Sequence, residues 1–501
     1  MSFNSFEFLI FLVVVLLLYF LLPHKFRWVM LLIASYYFYM SWNGALVFLI
    51  FGTTLVSYLA AIFIEKAEKK NVKKLWLILT LVVCLGVLAL FKYADFFIGS
   101  VIGFLNLFHA NLDSFALNLM LPIGISFYTF QTLSYVIDVY RGEYKAERHF
   151  GYYALFVSFF PQLVAGPIER CDHLLPQLKA EHKFNFEDAA AGLRIVLCGF
   201  FFKCVVADYV GIYVNNVYAN IDKANSLAFV ITGLLFCIQI YCDFAGYSEI
   251  ARGVARIMGV KLMKNFNRPF GLTSYSDLNR RWHISLNKWF TDYVYIPLGG
   301  GKKGLPRKIL NVLIVFTLSG LWHGASWTYV IWGLYVAFFV ILENVMKKPV
   351  RRFFEKCKID IDSKGFIYIR RALLAPVIVV AALIFRAQSL GELSGILSGL
   401  FTKIGFGEGY FTATLEILGI GSIEALIIVV SCFGIKFMTD FAEYEPKIEE
   451  RDLQSSLKDS KGQAIYAQKI AVYIYAILAI GYFWLGLLAN SDVSSFVYFQ
   501  F

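Results

Sequence analysis

Charge is scarce in this chain. Asp, Glu, Lys and Arg make up 16% of its 501 residues, against about a quarter in an ordinary soluble domain. With 59% hydrophobic residues and a mean hydropathy of +0.65, the chain reads as a polytopic membrane protein. A long polar segment is also missing, so no separate soluble domain is expected and one membrane domain fills residues 1–501. The eight cysteines, at 84, 171, 198, 204, 237, 242, 357 and 432, make no Cys-x-x-Cys pair and lie mostly in apolar runs. Neither a disulfide framework nor a zinc site is indicated. The first run, 6–22, has no basic n-region and no small-residue cleavage site, and it reads as a retained helix rather than a signal peptide. Internal repeats and low-complexity tracts are absent from the sequence.

What the chain does have is a succession of apolar runs: 6–22, 28–42, 45–64, 75–91, 96–108, 115–136, 152–164, 189–206, 227–241, 309–321, 325–342, 372–385, 423–437 and 470–488. They predict an all-α bundle. Several are shorter than the roughly 17 residues a span needs, which predicts re-entrant pieces and a thinned or indented core. The net charge of +11 would suggest nucleic acid for a soluble protein. Here the basic residues cluster in short loops, where cytoplasmic placement and anionic headgroups account for them. Residues 65–74 hold five lysines, 347–358 are densely basic and 440–469 form a charged loop. Placing these in the cytoplasm puts both termini outside.

His323 stands out. The run before it, 309–321, is thirteen residues, roughly 20 Å as a helix against about 30 Å of hydrocarbon. This predicts an imidazole partway through the membrane, where an ionisable group is costly unless it faces a polar cavity or carries function. Between 259 and 308 the chain turns basic, with Lys261, Lys264, Arg268, Arg280, Arg281, Lys288, Lys302, Lys303, Arg307 and Lys308. Trp282, Leu286, Trp289 and Tyr293 follow at helical spacing, predicting one amphipathic helix in or through the interface, with His283 at the edge of its apolar face and Pro297 to Gly301 ending it. Such a basic entrance suits an anionic activated donor; ordinary positive-inside charge is the plainer alternative.

These residues carry a resemblance. Tyr241-Cys242-Asp243-Phe244-Ala245-Gly246-Tyr247-Ser248, Arg281-Trp282-His283-Ile284-Ser285-Leu286, Asp292-Tyr293-Val294-Tyr295-Ile296-Pro297-Leu298-Gly299-Gly300 and Ser319-Gly320-Leu321-Trp322-His323-Gly324-Ala325 resemble the membrane-bound O-acyltransferase family. The likeness is narrowest to its bacterial branch, alginate O-acetyltransferase-like and D-alanyl transfer protein-like. Phe160-Pro161 and Gly166-Pro167-Ile168 add an earlier landmark. The chain departs from the pattern at Leu278-Asn279, where relatives usually have Phe-Trp, at Thr291, and at Leu334-Tyr335-Val336-Ala337, where a third histidine often stands.

The resemblance implies a fold of roughly eleven or more spans with re-entrant and interfacial helices around a central funnel or tunnel. It implies a core at about 115–345, further helices at about 372–490 and an aromatic tail at 496–501. It implies His323 as catalytic base and His283 as a second, more variable catalytic histidine. Asn279, Arg281, Trp282, Asn287 and Trp322 are the donor or tunnel candidates. Acyl transfer from a thioester to a hydroxyl needs a base near neutral pKa, and burial favours the neutral imidazole that can accept a proton. The bland alternatives are a structural histidine bonded to a helix carbonyl at 323 and interface packing at 283. No metal is expected, since no third ligand stands at a recognisable spacing.

Phe496-Val497-Tyr498-Phe499-Gln500-Phe501 is similar to the C-terminal aromatic motif of alginate-type relatives. It suggests Tyr498 as an acyl relay, or else an aromatic anchor in the headgroup belt. Implied partners are an extracytoplasmic SGNH hydrolase-type protein, membrane lipids, and acetyl-CoA or an acyl-carrier thioester as donor, with no bound cofactor and no nucleic acid. The implied place is the plasma membrane of a bacterium. D-alanyl transfer to teichoic acid is the rival within the family, a lipid acyltransferase the third reading, and a proton-coupled transporter the rival from another class.

Overall fold

The computed structural model describes residues 1–443. The 470–488 run, most of the 440–469 segment and the tail with Tyr498 lie outside the described residues. Every regular element among the described residues is helical. Helices α1 (Phe6–Leu21), α2 (His24–Met40) and α3 (Val47–Lys66) precede α4 (Lys70–Leu88), which passes through a π-helical turn, Ala89–Tyr93, into α5 (Ala94–Asn106). Then come α6 (Ile125–Arg141), α7 (Phe150–Ser158), α8 (Cys171–Lys179) and α9 (Phe186–Phe200), a second π segment (Phe201–Ala207), α10 (Asp208–Tyr218) and α11 (Ser226–Ile257). Two short helices, α12 (Tyr275–Arg281) and α13 (Ile284–Phe290), lead through a third π segment (Thr291–Tyr295) to α14 (Gly304–His323) and α15 (Trp327–Lys356). Helices α16 (Lys364–Arg386), α17 (Leu390–Thr402), α18 (Glu408–Leu418) and α19 (Ser422–Ala442) follow. Eight of the described helical stretches are long and apolar enough to cross a membrane.

Several expectations are corrected. The runs at 75–91 and 96–108 belong to one 37-residue helical stretch, Lys70–Asn106, because the π turn lets the helix absorb Lys92 without breaking. The 115–136 run is helical only from Ile125: residues 111–122 have no regular structure, and Gly124, at φ 75°, starts the helix. The 152–164 run gives only α7, which ends before Pro161. Asp440 is still inside α19 rather than in a loop.

The largest correction concerns the helix before His323. It spans 20 residues, Gly304–His323, about 30 Å and long enough to cross. The apolar run understates it because the basic residues of its first turns are anchored by hydrogen bonds. Arg307 Nε donates to the Leu298 carbonyl at 3.1 Å, and Lys308 Nζ donates to Asn344 Oδ1 on α15 at 2.7 Å.

His323 is therefore the last residue of a full-length helix. Gly324 continues in extended backbone (φ −168°) and ends α14, and the Ser326 hydroxyl caps α15 by accepting from Thr328 N. The hairpin closes by backbone contact: a Cβ on Gly320 would strike the Tyr329 carbonyl, and one on Gly333 the Phe316 carbonyl. Small residues let membrane helices approach this closely. Gly320→Val is expected to pry α14 from α15, costing about 1–3 kcal/mol as overpacking does. A lowered melting temperature in detergent would register it. Between α9 and α11 the same device recurs, since a Cβ on Gly199 would stand 2.6 Å from the Gly246 carbonyl.

Candidate active site

The single amphipathic helix expected over 282–293 is interrupted at His283. That residue adopts left-handed backbone (φ 44°, ψ 54°) between α12 and α13. An L-residue other than glycine pays roughly 1–3 kcal/mol there, so surrounding structure must hold it. It is held by a buried polar chain. Asn265 O accepts from Ile284 N at 2.9 Å, Asn265 Oδ1 accepts from Ser285 Oγ at 2.6 Å, and Asn265 Nδ2 donates to Ser248 Oγ at 3.2 Å. Ser285 Oγ in turn accepts from Ile168 N at 3.1 Å. Three sequence motifs, around Ser248, Ser285 and Ile168, thus meet at Asn265, which no sequence pattern singles out. The break turns His283 inward, and the residue is only 2% exposed.

Its ring centroid lies 6.4 Å from that of His323, with planes inclined by 55°. Phe244 meets His283 edge-on at 4.7 Å, while Trp332 and Phe385 meet His323 edge-on at 5.3 and 5.2 Å. Both imidazoles face a cavity of about 470 Å³ with a predominantly apolar lining. Asn279, Trp282 and Asn287 line it too, and Ser319 adds a hydroxyl. Asn287 Nδ2 donates to the Trp282 and Asn279 carbonyls at 2.7 and 2.9 Å, tying the two short helices together across the His283 break.

Arg281 and Trp322 stand elsewhere. Arg281 is not among the residues lining this cavity; its Nε pairs with Asp277 Oδ1 at 2.9 Å. Trp322 is buried and lines a second, smaller cavity of about 140 Å³. His323 borders both cavities. The second also receives Lys92, from the π turn between α4 and α5. The signal was in the sequence, as a lysine within Leu90-Phe91-Lys92-Tyr93 at the end of an apolar run.

The remaining motif residues build the frame. Asp243 accepts from Lys203 Nζ at 2.8 Å, and Asp208 pairs with the same ammonium at 2.7 Å; all three side chains are almost wholly buried. Asp292 pairs with Arg170 at 3.1 Å, and Tyr293 Oη donates to Asp138 Oδ1 at 2.8 Å. Burial pushes the Asp138 carboxyl up to about 6. Near the basic loop, Glu169 accepts from Met263 N at 2.6 Å and from His173 at 2.6 Å, assigning the ring proton to Nδ1. Its burial raises the carboxyl, while the hydrogen bond from Glu169 raises the His173 imidazole. Groups of three or more metal-ligating side chains are absent among the described residues.

Residues 145–384 match the membrane-bound O-acyltransferase family (MBOAT). Over its whole length the chain is 33% identical to the "Probable alginate O-acetylase" of Azotobacter vinelandii, covering 99% of that protein. It is 34% identical to the peptidoglycan O-acetyltransferase of Helicobacter pylori over 74% of this chain and 73% of the relative. A more partial likeness, 30% identity over 46% of this chain and 61% of the relative, links it to the teichoic acid D-alanyltransferase of Bacillus subtilis. With two histidines facing one cavity in a bundle of spanning helices, and a relative matched end to end, the chain belongs to the membrane-bound O-acyltransferase family and is a membrane acyltransferase.

Proposed function

We propose that this protein moves an acetyl group from a cytoplasmic thioester, acetyl-CoA or an acyl carrier, to the outer side of a bacterial plasma membrane for O-acylation of a polysaccharide. The observation that carries this reading is the placement of His283 and His323 on one apolar cavity, in a chain similar throughout to an alginate O-acetylase. His323 would take the proton of the acceptor hydroxyl as its oxygen attacks the thioester carbonyl. His283, Asn279, Trp282 and Asn287 would position the donor, with His283 assisting in acid/base work. Trp322 would wall the far side of His323. Arg281 serves here as a partner of Asp277, supporting α12.

The whole chain is read as one family domain, its eleven or more spans gathered about a central tunnel. The densely basic 259–308 region would face the cytoplasm and both termini the outside. Tyr498, on the outer side in this reading, would accept the acyl group and present it to an SGNH hydrolase-type partner. An aryl ester retains the transfer potential this needs. The D-alanyl reading is favoured less, because the teichoic acid relative covers under half of this chain.

Purified protein in liposomes, given an acetyl thioester, is expected to release free thiol. A transporter would release none, and that result would sink the enzymatic reading of this cavity. Mass spectrometry of the C-terminal peptide should find acetyl on Tyr498 and none in Tyr498→Phe. Full transfer to a polysaccharide by Tyr498→Phe would rule out the relay while leaving thioester chemistry intact.

A further inference from the structure

Lys92 and Lys203 sit well inside spanning helical stretches, and both are carried by π-helical turns. Their partners differ. Lys203 is closed off by the carboxylates of Asp208 and Asp243 at 2.7 and 2.8 Å. Lys92 has no carboxylate within ion-pair distance among the described residues. Its Nζ donates to the Trp322 carbonyl at 2.6 Å and lies 3.5 Å from Ser126 Oγ. An ammonium has three protons to place and no lone pair, so one strong and one long bond leave capacity that points into the small cavity bordered by His323.

Capping α14 does not account for this lysine. The adjacent Tyr93 Oη already donates to the Leu321 carbonyl at 2.8 Å, and a neutral side chain could serve the Trp322 carbonyl equally well. A lysine built into a spanning helical stretch is costly and marks function by default, and π turns recur at functional sites. A cation so placed suits an anion, and the cavity it borders is shared with His323. The main cavity offers imidazoles, amides and a hydroxyl, and Arg371 on α16 is the one lysine or arginine among its lining residues.

We propose that Lys92 is a further catalytic residue, binding in the second cavity the oxyanion that forms on the acyl carbonyl during transfer at His323. This rests on the acyl-transfer reading. The acceptor oxygen bonds to the carbonyl carbon while its proton passes to His323. The carbonyl electron pair moves onto oxygen, where the Lys92 ammonium donates to it. Collapse restores the C=O, breaks the C–S bond and releases the thiol, which takes the proton back from His323. Lys92 keeps all its protons throughout.

The full-length protein in liposomes tests this with an acetyl thioester. Lys92→Gln keeps a donor for the Trp322 carbonyl but no charge, and its kcat is expected to fall about 100-fold, as loss of one oxyanion donor does elsewhere. KM for the donor should stay within about twofold, since the main cavity is untouched. Lys92→Arg should retain at least about tenfold more activity than Lys92→Gln, and methylammonium should partly restore Lys92→Ala. A purely structural lysine would lose stability without any rescue by an amine. Equal rates for Lys92→Gln and wild type, with His323→Ala inactive, would overturn the role of Lys92 and leave acyl transfer standing. No turnover by the wild-type protein would overturn both.

Discussion

His323→Ala is expected to lower thioester turnover by about three orders of magnitude, within the roughly 10²–10⁴-fold that a positioned general base contributes. The imidazole borders both cavities, so in the proposed reaction its removal takes the base from any acceptor hydroxyl reaching the reacting carbonyl. Donor binding should survive, because Asn279, Trp282 and Asn287 remain. A fall in kcat at nearly constant KM is the signature of an interaction made only in the transition state. His283→Ala should behave differently, raising KM more than it lowers kcat, because its proposed work is positioning. Full activity in His323→Ala would remove the histidine from the chemistry.

Lys203→Met is expected to cost about 3–5 kcal/mol of stability, the scale for deleting one partner of a buried charge cluster. The ammonium holds Asp208 and Asp243 where both side chains are almost wholly buried. Without it, two carboxylates are left together in a low-dielectric interior. Because Asp243 belongs to α11, which packs against α9 through Gly199 and Gly246, the damage should reach the helix carrying Ser248 and hence Asn265 and His283. Melting curves in detergent would read this directly. Adding Asp208→Asn and Asp243→Asn to Lys203→Met should recover much of the loss, since neutral amides relieve the repulsion. Unchanged melting of the single variant would show that the cluster does not hold this region.

Much of the architecture could be read from residue patterns. Apolar length predicts spanning helices because a bilayer offers the backbone no partners, and this predicted α3, α11, α15 and α16 correctly in kind. It failed where polar residues are built into helices. Lys92 is absorbed by a π turn, and Arg307 and Lys308 are tied down at the foot of α14. Hydropathy counts such residues as ends of runs, whereas the fold treats them as parts of helices.

The site shows the same division. Composition and motif order were enough to identify a membrane acyltransferase and to bring His283, His323 and their flanking Trp and Asn residues into view, because these residues stand inside the motifs themselves. Tertiary structure decided how they are arranged. The left-handed turn at His283 depends on Asn265, Ser248, Ser285 and the Ile168 amide, which come from four separate stretches of chain. The second cavity depends on the approach of the Ala89–Tyr93 π turn to the end of α14. Helical periodicity is a local property, so it predicted an unbroken helix through His283. The break is stabilised by hydrogen bonds across the fold, and only packing brings those partners together.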